Sequence, residues 1–456
     1  MKAKLCFFDD YYVAARPNTE RRIFAPKKRG EFHDSDALLQ LYTSFFYDPY
    51  VKKYRLYYEA PIPGTGTEIR MLKLAEADCI DDIISGKAEI SVISGVDDVH
   101  GIHGAAVTYN PDADPAHRYI FVGNAHADDR ALRNFVRAFS SDGKSFYDVA
   151  PIFPDEPDYK DTYNSVCYNP YKKEYVVTTR IATMDRRVAV IYSKDGTQWS
   201  RPQVRMHPLS KGNMGEQHYA LGVSHLDGLF YGILWRFITD LDQPDFTDMG
   251  GVMENDLLYS YDGDCFITTD CSPVCKRPPV PEYGCKQLWL LNMEREDDKY
   301  VLVGGASRIA HGASYNGEND KFASTVLYDI RKEGFCALEG NGADSIVYLK
   351  PIYFEGGDIT VNADASSGKL SVAIIEANGK PIEGFGFDDC VSIENEDSVE
   401  RKISFKNSDI ESLKGRRVRI ALRLDGARLY SIGFEGRPFI HKRPQYSFND
   451  PRPMDI

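Results

Sequence analysis

The stretch "SKDGTQW", Ser193 to Trp199, brings a hydroxyl, a carboxylate and an indole together within seven residues, a set with the means to bind or react. It is not alone. "SSDGKSF" (Ser140 to Phe146) and "SYDGDCF" (Ser260 to Phe266) repeat the pattern Ser-x-Asp-Gly-x-x-aromatic about 50 to 70 residues apart. Asp-Gly supplies the positive backbone angles of a tight hairpin, and each copy follows a strand-like run, "FVRAF", "VAVIY" or "DLLY". The pattern is therefore a repeated fold signal. Ser193, Asp195 and Trp199 are expected to close a structural unit without touching a ligand. Two weaker echoes flank the three copies, "MLKLAEADCIDDI" and "STVLYDIRKEGFCAL".

Cys265, Cys271, Cys275 and Cys285 are a second cluster with chemical capacity. Their spacing lacks the paired C-x-x-C form of structural zinc sites, so buried free thiols are expected, with no metal and no cofactor. No Asp-rich calcium loop is legible either. His103 stands between Gly101-Ile102 and Gly104; a histidine flanked by glycines is poorly explained as packing and is a candidate ligand contact.

The elements that hold such residues follow from composition and repeats. A chain of 456 residues is too long for one ordinary core, so two domains are expected. Aromatics make up 12%, with 29 Tyr, which suits a β-rich or sugar-binding protein. A net charge of −13 excludes nucleic acid as a partner and favours neutral or cationic ligands. No apolar stretch is long enough to span a membrane. The opening "MKAKLCFFDDYYVAARPNTERR" does not read as a secretory signal, and the nine scattered cysteines make no disulfide framework. A cytoplasmic location is expected.

A second element recurs upstream of the turns: two strand-like runs joined by a short polar link. It occurs at Leu38 to Pro61, Gly101 to Ala125, Asp161 to Ala182, His218 to Phe237 and Lys286 to Ile309. "FYDPYVKKYRLYY" and "CYNPYKKEYVVTT" are nearly the same words. Each hairpin with its following outer strands makes a four-stranded blade, and a blade cannot bury both faces alone. The expected fold is all-β: a five-bladed β-propeller over residues 1–341, then an antiparallel β-sandwich over 342–436. The Pro-rich tail 437–456 is expected to pack on the body or on a second subunit, which leaves room for a homo-oligomer.

A five-bladed propeller followed by a sandwich resembles the invertase and levanase group of glycoside hydrolases (family 32), within a superfamily that includes the arabinanases and mannoside phosphorylases. The words "LKPIYFEGGDITVNADASSGKLSVAIIEANGKPIEGFGFDDC", "RIALRLDGARLYSIGF" and "DTYNSVCYNPYKKEYVVTTR" resemble a family-32-like branch. The resemblance implies three carboxylates, in chain order Asp, Asp, Glu, at the starts of innermost strands around a central funnel. On this sequence they fall on Asp36 (or Asp34) as base or nucleophile, Asp161 as stabiliser and Glu216 as general acid. Such a pair is needed because the leaving oxygen must be protonated while the opposite face of the sugar is attacked. Asp34, His103, Asn164, Arg180, His218, Trp235 and Arg236 are then candidates to bind substrate. The Arg residues would hold a carboxylate ionised or clamp an anion, and Trp235 or Trp289 would stack on a sugar, although the apolar neighbours of Trp289 also suit blade core. The invertase words W-x-N-D-P-N-G, R-D-P and E-C are absent, so fructoside specificity is not carried over.

The reading is a glycosidase acting on a small oligosaccharide or glycoside, furanosides included, with carbohydrate as its partner. Three alternatives stand beside it. A sialidase-like enzyme would have six blades and a Ser-x-Asp-x-Gly-x-x-Trp box, whose residue between Asp and Gly is missing here. A phosphorylase would use Arg180, Arg236 and Arg308 to hold phosphate. A non-catalytic carbohydrate-binding propeller would not need the carboxylates.

Overall fold

The computed structural model describes residues 2–34, 41–64, 69–96, 101–126, 133–154, 163–180, 186–204, 216–239, 251–311 and 323–438. The chain divides into two units, Ala25–Ile330, and Met1–Phe24 together with Arg331–Ile456. Both are built almost wholly of strands in open sheets; the only α-helix among the described residues is Ile80–Ile84. Among the described residues no helix is long and apolar enough to cross a membrane.

In unit 25–330 the strands fall into five antiparallel groups of four. The first is Leu41–Asp48, Lys53–Pro61, Arg70–Ala77 and Glu89–Val92. The second is Ile102–Tyr109, Tyr119–His126, Arg133–Ser140 and Tyr147–Pro151, joined to the first through the pair Arg70/Ile102. The third is Ser165–Asn169, Glu174–Arg180, Val188–Ser193 and Gln203–Val204. The fourth is Glu216–Leu226, Leu229–Thr239, Gly251–Ser260 and Ile267–Thr268. The fifth is Gln287–Glu296, Lys299–Ser307 and Ala323–Arg331, completed by Lys27–Phe32. The five hairpins legible in the sequence are the first two strands of these groups. The far ends of all five first strands line one cavity of about 270 Å³.

The boundary differs from the one drawn at 341/342. That position lies inside the strand Cys336–Leu349, which pairs with Thr19–Ile23 and with Arg417–Pro438. Lys2–Cys6 also pairs with Arg417–Pro438, so residues 1–24 belong with the C-terminal sheet. The fifth group takes its last strand from Lys27–Phe32, which covers the edge of Ala323–Arg331 that would otherwise leave backbone groups unpaired. In the other unit, Arg417–Pro438 is a 22-residue strand that pairs with four others. Its core includes Val347, Ile352, Val361, Ile374, Leu422 and Ile432.

The three Ser-x-Asp-Gly turns have one geometry. Oγ of Ser140, Ser193 and Ser260 donates to the following Asp carboxylate at 2.9, 3.1 and 3.0 Å. That carboxylate accepts two backbone N–H groups further on, those of Thr197 and Gln198 in the case of Asp195. Partial burial alone would raise the Asp195 carboxyl, but the N–H groups of Gln198 and Thr197 outweigh it and hold it at about 2. Gly143, Gly196 and Gly263 have φ of +75°, +77° and +75°. Each turn presses on the preceding group. Arg55 and Tyr57 donate to the carbonyls of Asp142 and Gly143, Asn169 donates to that of Asp262, and Gly196 abuts the Phe139 ring. The turns are therefore clamps between groups.

The nine cysteines are free thiols; Cys271, Cys275 and Cys285 are buried and Cys265 is exposed. Burial pushes the Cys271 thiol up to about 11 and that of Cys275 up to about 12, which makes them unreactive.

Candidate functional site

The first strands also share their other end. There a buried aromatic cluster gathers Tyr42, Tyr163, Tyr219, Trp235, Phe237 and Trp289. Tyr163 stacks on Tyr42 with ring centroids 5.7 Å apart and lies 5.0 Å from Trp235. Burial of such rings contributes several kcal/mol of order, and their edge and face contacts fix the positions of the strands that carry them.

Four of the five first strands bulge at this end. Between Leu41 and Ser44, His103 and Ala106, His218 and Ala220, and Leu290 and Asn292, the first strand carries one residue more than its partner. A bulge bends its strand and re-aims a side chain, and bulges gather next to active sites. In the first of them Tyr42 has φ +48°, a left-handed conformation that a bulky residue adopts only under constraint.

An acid sits in this ring that the sequence reading missed. Glu59, on the second strand of the first group, is fully buried and accepts the N–H of Ala105 at 2.7 Å within the second group's bulge. Burial pushes its carboxyl up to about 7, against the opposing pull of Arg70 and of the Ala105 and Gly104 N–H groups. Arg70 Nη1 lies 3.3 Å from Glu59 and 2.9 Å from Nδ1 of His103. A guanidinium only donates, so Nδ1 accepts and the proton of the neutral imidazole sits on Nε2. Nothing in "YYEAP" marks the acid: that it lies in a strand whose neighbours are all buried shows only in the structure.

The residues expected from the sequence fall as follows. Asp36 and Asp161 lie outside the described residues, as does the side chain of Glu216. The Glu216 backbone opens the strand Glu216–Leu226 and pairs with Ile238. Asp34 is buried and accepts from the Tyr58 hydroxyl at 2.8 Å and from the Lys73 ammonium. Asn164 donates from its amide side chain to the Gly104 carbonyl at 2.8 Å, tying the third group to the second group's bulge. His103 and Asn164 are thus brought together around Gly104, with Glu59 on its other side.

His218 is buried and its backbone N–H reaches the Arg186 carbonyl. The Arg180 and Arg186 guanidinium carbons lie 5.0 and 5.3 Å from the Tyr219 ring centroid, and the Tyr219 hydroxyl meets His311 Nε2 at 3.2 Å. Arg236, the register partner of His218, is held by Asp256 and Glu254 at 3.0 Å each. Trp235 has no exposed surface; its indole N–H donates to the Leu290 carbonyl at 2.7 Å, so it supports Tyr42 and Tyr219 from beneath.

The arrangement can do proton chemistry. It joins a carboxyl that titrates near neutrality to a neutral imidazole and a guanidinium, in a ring of aromatic side chains. Arg180 and Arg186 add positive charge on the Tyr219 side. Among the described residues no group of three or more His, Cys, Asp or Glu could hold a metal.

No protein-family model matches the chain, and no curated protein does. Solved structures of glycoside hydrolases are similar to it at low identity. The Bombyx mori GH32 beta-fructofuranosidase BmSUC1 is 14% identical over 91% of this chain and 94% of that one, with a TM-score of 0.44. A beta-fructofuranosidase from Schwanniomyces occidentalis, complexed with fructosyl-erythritol, is 12% identical over 90% and 98%, with a TM-score of 0.44. The catalytic domain of the Coprinopsis cinerea GH62 alpha-L-arabinofuranosidase is 9% identical over 67% and 97%, with a TM-score of 0.45.

Proposed function

We propose that this chain is a glycosidase. In this reading residues 25–330 form a five-bladed β-propeller, and the C-terminal strands with residues 2–23 form a β-sandwich. The propeller cleaves a small oligosaccharide or glycoside, furanosides included, by carboxylate general acid and base chemistry. Asp36 is the base or nucleophile, Asp161 orients the sugar and Glu216 protonates the leaving oxygen.

One observation carries the reading. The first strands, four of them bulged, share one end at Tyr42, His103, Asn164 and Tyr219, and in sequence the three carboxylates stand at or just before the starts of the first, third and fourth of these strands. In sequence Asp36 precedes Leu41 by five residues, Asp161 precedes Ser165 by four, and Glu216 is the first residue of its strand. Five four-stranded groups also speak against the six-bladed sialidase alternative. The test is a panel of nitrophenyl furanosides and pyranosides on the wild type and on Glu216→Gln. The reading expects turnover of at least one compound, with a small loss in the variant on activated nitrophenyl leaving groups and a large loss on a matched glycoside whose leaving group needs protonation.

Phosphorolysis is a second reading with its own observation: Arg180 and Arg186 both lie against Tyr219. Two guanidinium groups at one edge of a sugar site suit a phosphate. Turnover that requires phosphate distinguishes it from hydrolysis in the same panel.

A further inference from the structure

The cavity at the far ends of the first strands lies at the opposite end from Tyr42, His103 and Tyr219. Along Ile102–Tyr109 the chain passes from His103 at one end to Thr108 at the cavity; along Glu216–Leu226 it passes from Tyr219 to His225. The cavity is part of neither the acid cluster nor the aromatic floor described above.

Its walls combine apolar faces with polar atoms that lack partners. Phe46 and Tyr109 supply the apolar side, with ring centroids 5.4 Å apart. Asn292 Oδ1 and His225 Nε2 are shielded from solvent and meet no hydrogen-bond partner among the described residues. A buried polar atom left in this way costs about 1–3 kcal/mol, so its retention in a cavity wall marks a place for a ligand group. The Glu294 carboxylate lines the same cavity and accepts the N–H groups of Tyr47 and Arg295 at 2.9 and 2.7 Å. The near-identical words "FYDPYVKKYRLYY" and "CYNPYKKEYVVTT" place Tyr50 and Tyr171 at the same hairpin position. The Tyr50 ring lies 6.1 Å from Tyr109 and the Tyr171 ring 5.4 Å from His225; both rings are exposed.

These features select a chemical class. No Lys or Arg lines the cavity and one carboxylate does, so an anion is disfavoured. Cys167, His225 and Glu294 all line the cavity, but among the described residues no group of three or more acid, His or Cys side chains is placed to hold a metal. Asn292 offers an amide donor and acceptor, and Thr108 and Tyr109 offer hydroxyls, which match groups that both donate and accept. A volume of about 270 Å³ lies just below the ~300–1,000 Å³ of ordinary small-molecule pockets, which limits the occupant to a single ring.

The geometry points to a second ligand site: the cavity takes one neutral polyhydroxylated ring, a monosaccharide or cyclitol, with Asn292 and His225 as its polar anchors and Phe46 and Tyr109 against its C–H face. This site stands whether or not the opposite end is catalytic.

The test is calorimetric titration of the full chain with aldohexoses, aldopentoses, a ketohexose and inositol. It is run on the wild type, Asn292→Leu, Thr108→Val at the half-buried wall, and Glu216→Gln. Saturable binding of at least one compound is expected, weakened about tenfold or more by Asn292→Leu and by Thr108→Val to a smaller extent. Glu216→Gln should leave it unchanged. Absence of saturable binding across the panel overturns the proposal. So does binding that survives both cavity substitutions or disappears in Glu216→Gln, because it then belongs to the other end. Loss of turnover in Glu216→Gln with cavity binding retained leaves both readings standing, which keeps their failures distinguishable.

Discussion

The Glu59 carboxylate accepts the Ala105 N–H at 2.7 Å and faces Arg70 at 3.3 Å, so a side chain of the first four-stranded group holds the bulge of the second. The contact positions the backbone around His103 and Gly104 and stores a carboxyl that titrates far above its ordinary range.

That carboxyl gives a pH signature. Burial raises Glu59 from 4.5 to about 7, and Glu294 likewise to about 7. A carboxyl raised in the folded state binds its proton more tightly there than in the unfolded chain. Its contribution is therefore present below about pH 4.5 and is lost as pH rises through about 7. Over pH 4.5 to 7.5 these two carboxyls should lower the thermal midpoint by the equivalent of a few kcal/mol at most, against the opposite slope of His225, whose imidazole burial pushes down to about 4. Glu59→Gln and Glu294→Gln should each flatten part of that slope. A slope unchanged in both variants contradicts the assignment.

The Ser-x-Asp-Gly clamps are predicted to act on stability alone. Asp195→Ala removes the acceptor of two backbone N–H groups on an exposed turn and should cost about 1 kcal/mol. The Asp195 contribution is present above about pH 3.8 and lost as pH falls toward 2, so acid should shrink the difference between variant and wild type. Denaturant midpoints at pH 7 and pH 3 check both statements. Activity per folded molecule should not change.

Gly222 sits at a close approach between two neighbouring first strands, Glu216–Leu226 and Gln287–Glu296. A Cβ there would stand 2.1 Å from the Leu291 carbonyl oxygen, which is backbone and cannot swing aside. Gly222→Ala is expected to destabilise by about 2–3 kcal/mol or more, read as the shift of the thermal transition. A shift below about 0.5 kcal/mol would show that the two strands are not packed as described.

Trp235 is predicted to work as support. Trp235→Phe keeps an aromatic body but removes the hydrogen bond to the Leu290 carbonyl. Stability should fall by about 1–3 kcal/mol, with KM for any turned-over glycoside changed by less than about threefold. A large KM increase with unchanged stability would instead make the ring a direct sugar contact.

The parts of the fold written in local chemistry were legible. Asp-Gly turns carry their own backbone requirement, and the hairpins around "YDPY" and "YNPY" announce themselves by alternation and turn residues. Non-local pairing leaves no such mark. Nothing in "KKRGEF" says that it will pair with Ala323–Arg331, and nothing in "KAKLC" points to Glu435, because a strand edge is satisfied by any backbone. The bulges were hidden for the same reason: Leu290-Leu291-Asn292 is an ordinary strand sequence, and its extra residue exists only relative to a partner strand. In the candidate site, His103 stood out by its glycines. Glu59 did not, because an acid in a strand reads as solvated until its neighbours on both faces are known to be buried.

The central claim is that carboxylates at the starts of the first strands perform glycoside cleavage, with Glu216 as acid. Its most direct test is the initial rate on nitrophenyl glycosides against the matched substrate whose leaving group needs protonation, for wild type and Glu216→Gln. The account predicts a loss of about 10²–10⁴ on the substrate needing protonation and a much smaller loss on the activated nitrophenyl glycoside. Equal, undiminished rates on both substrates would contradict it.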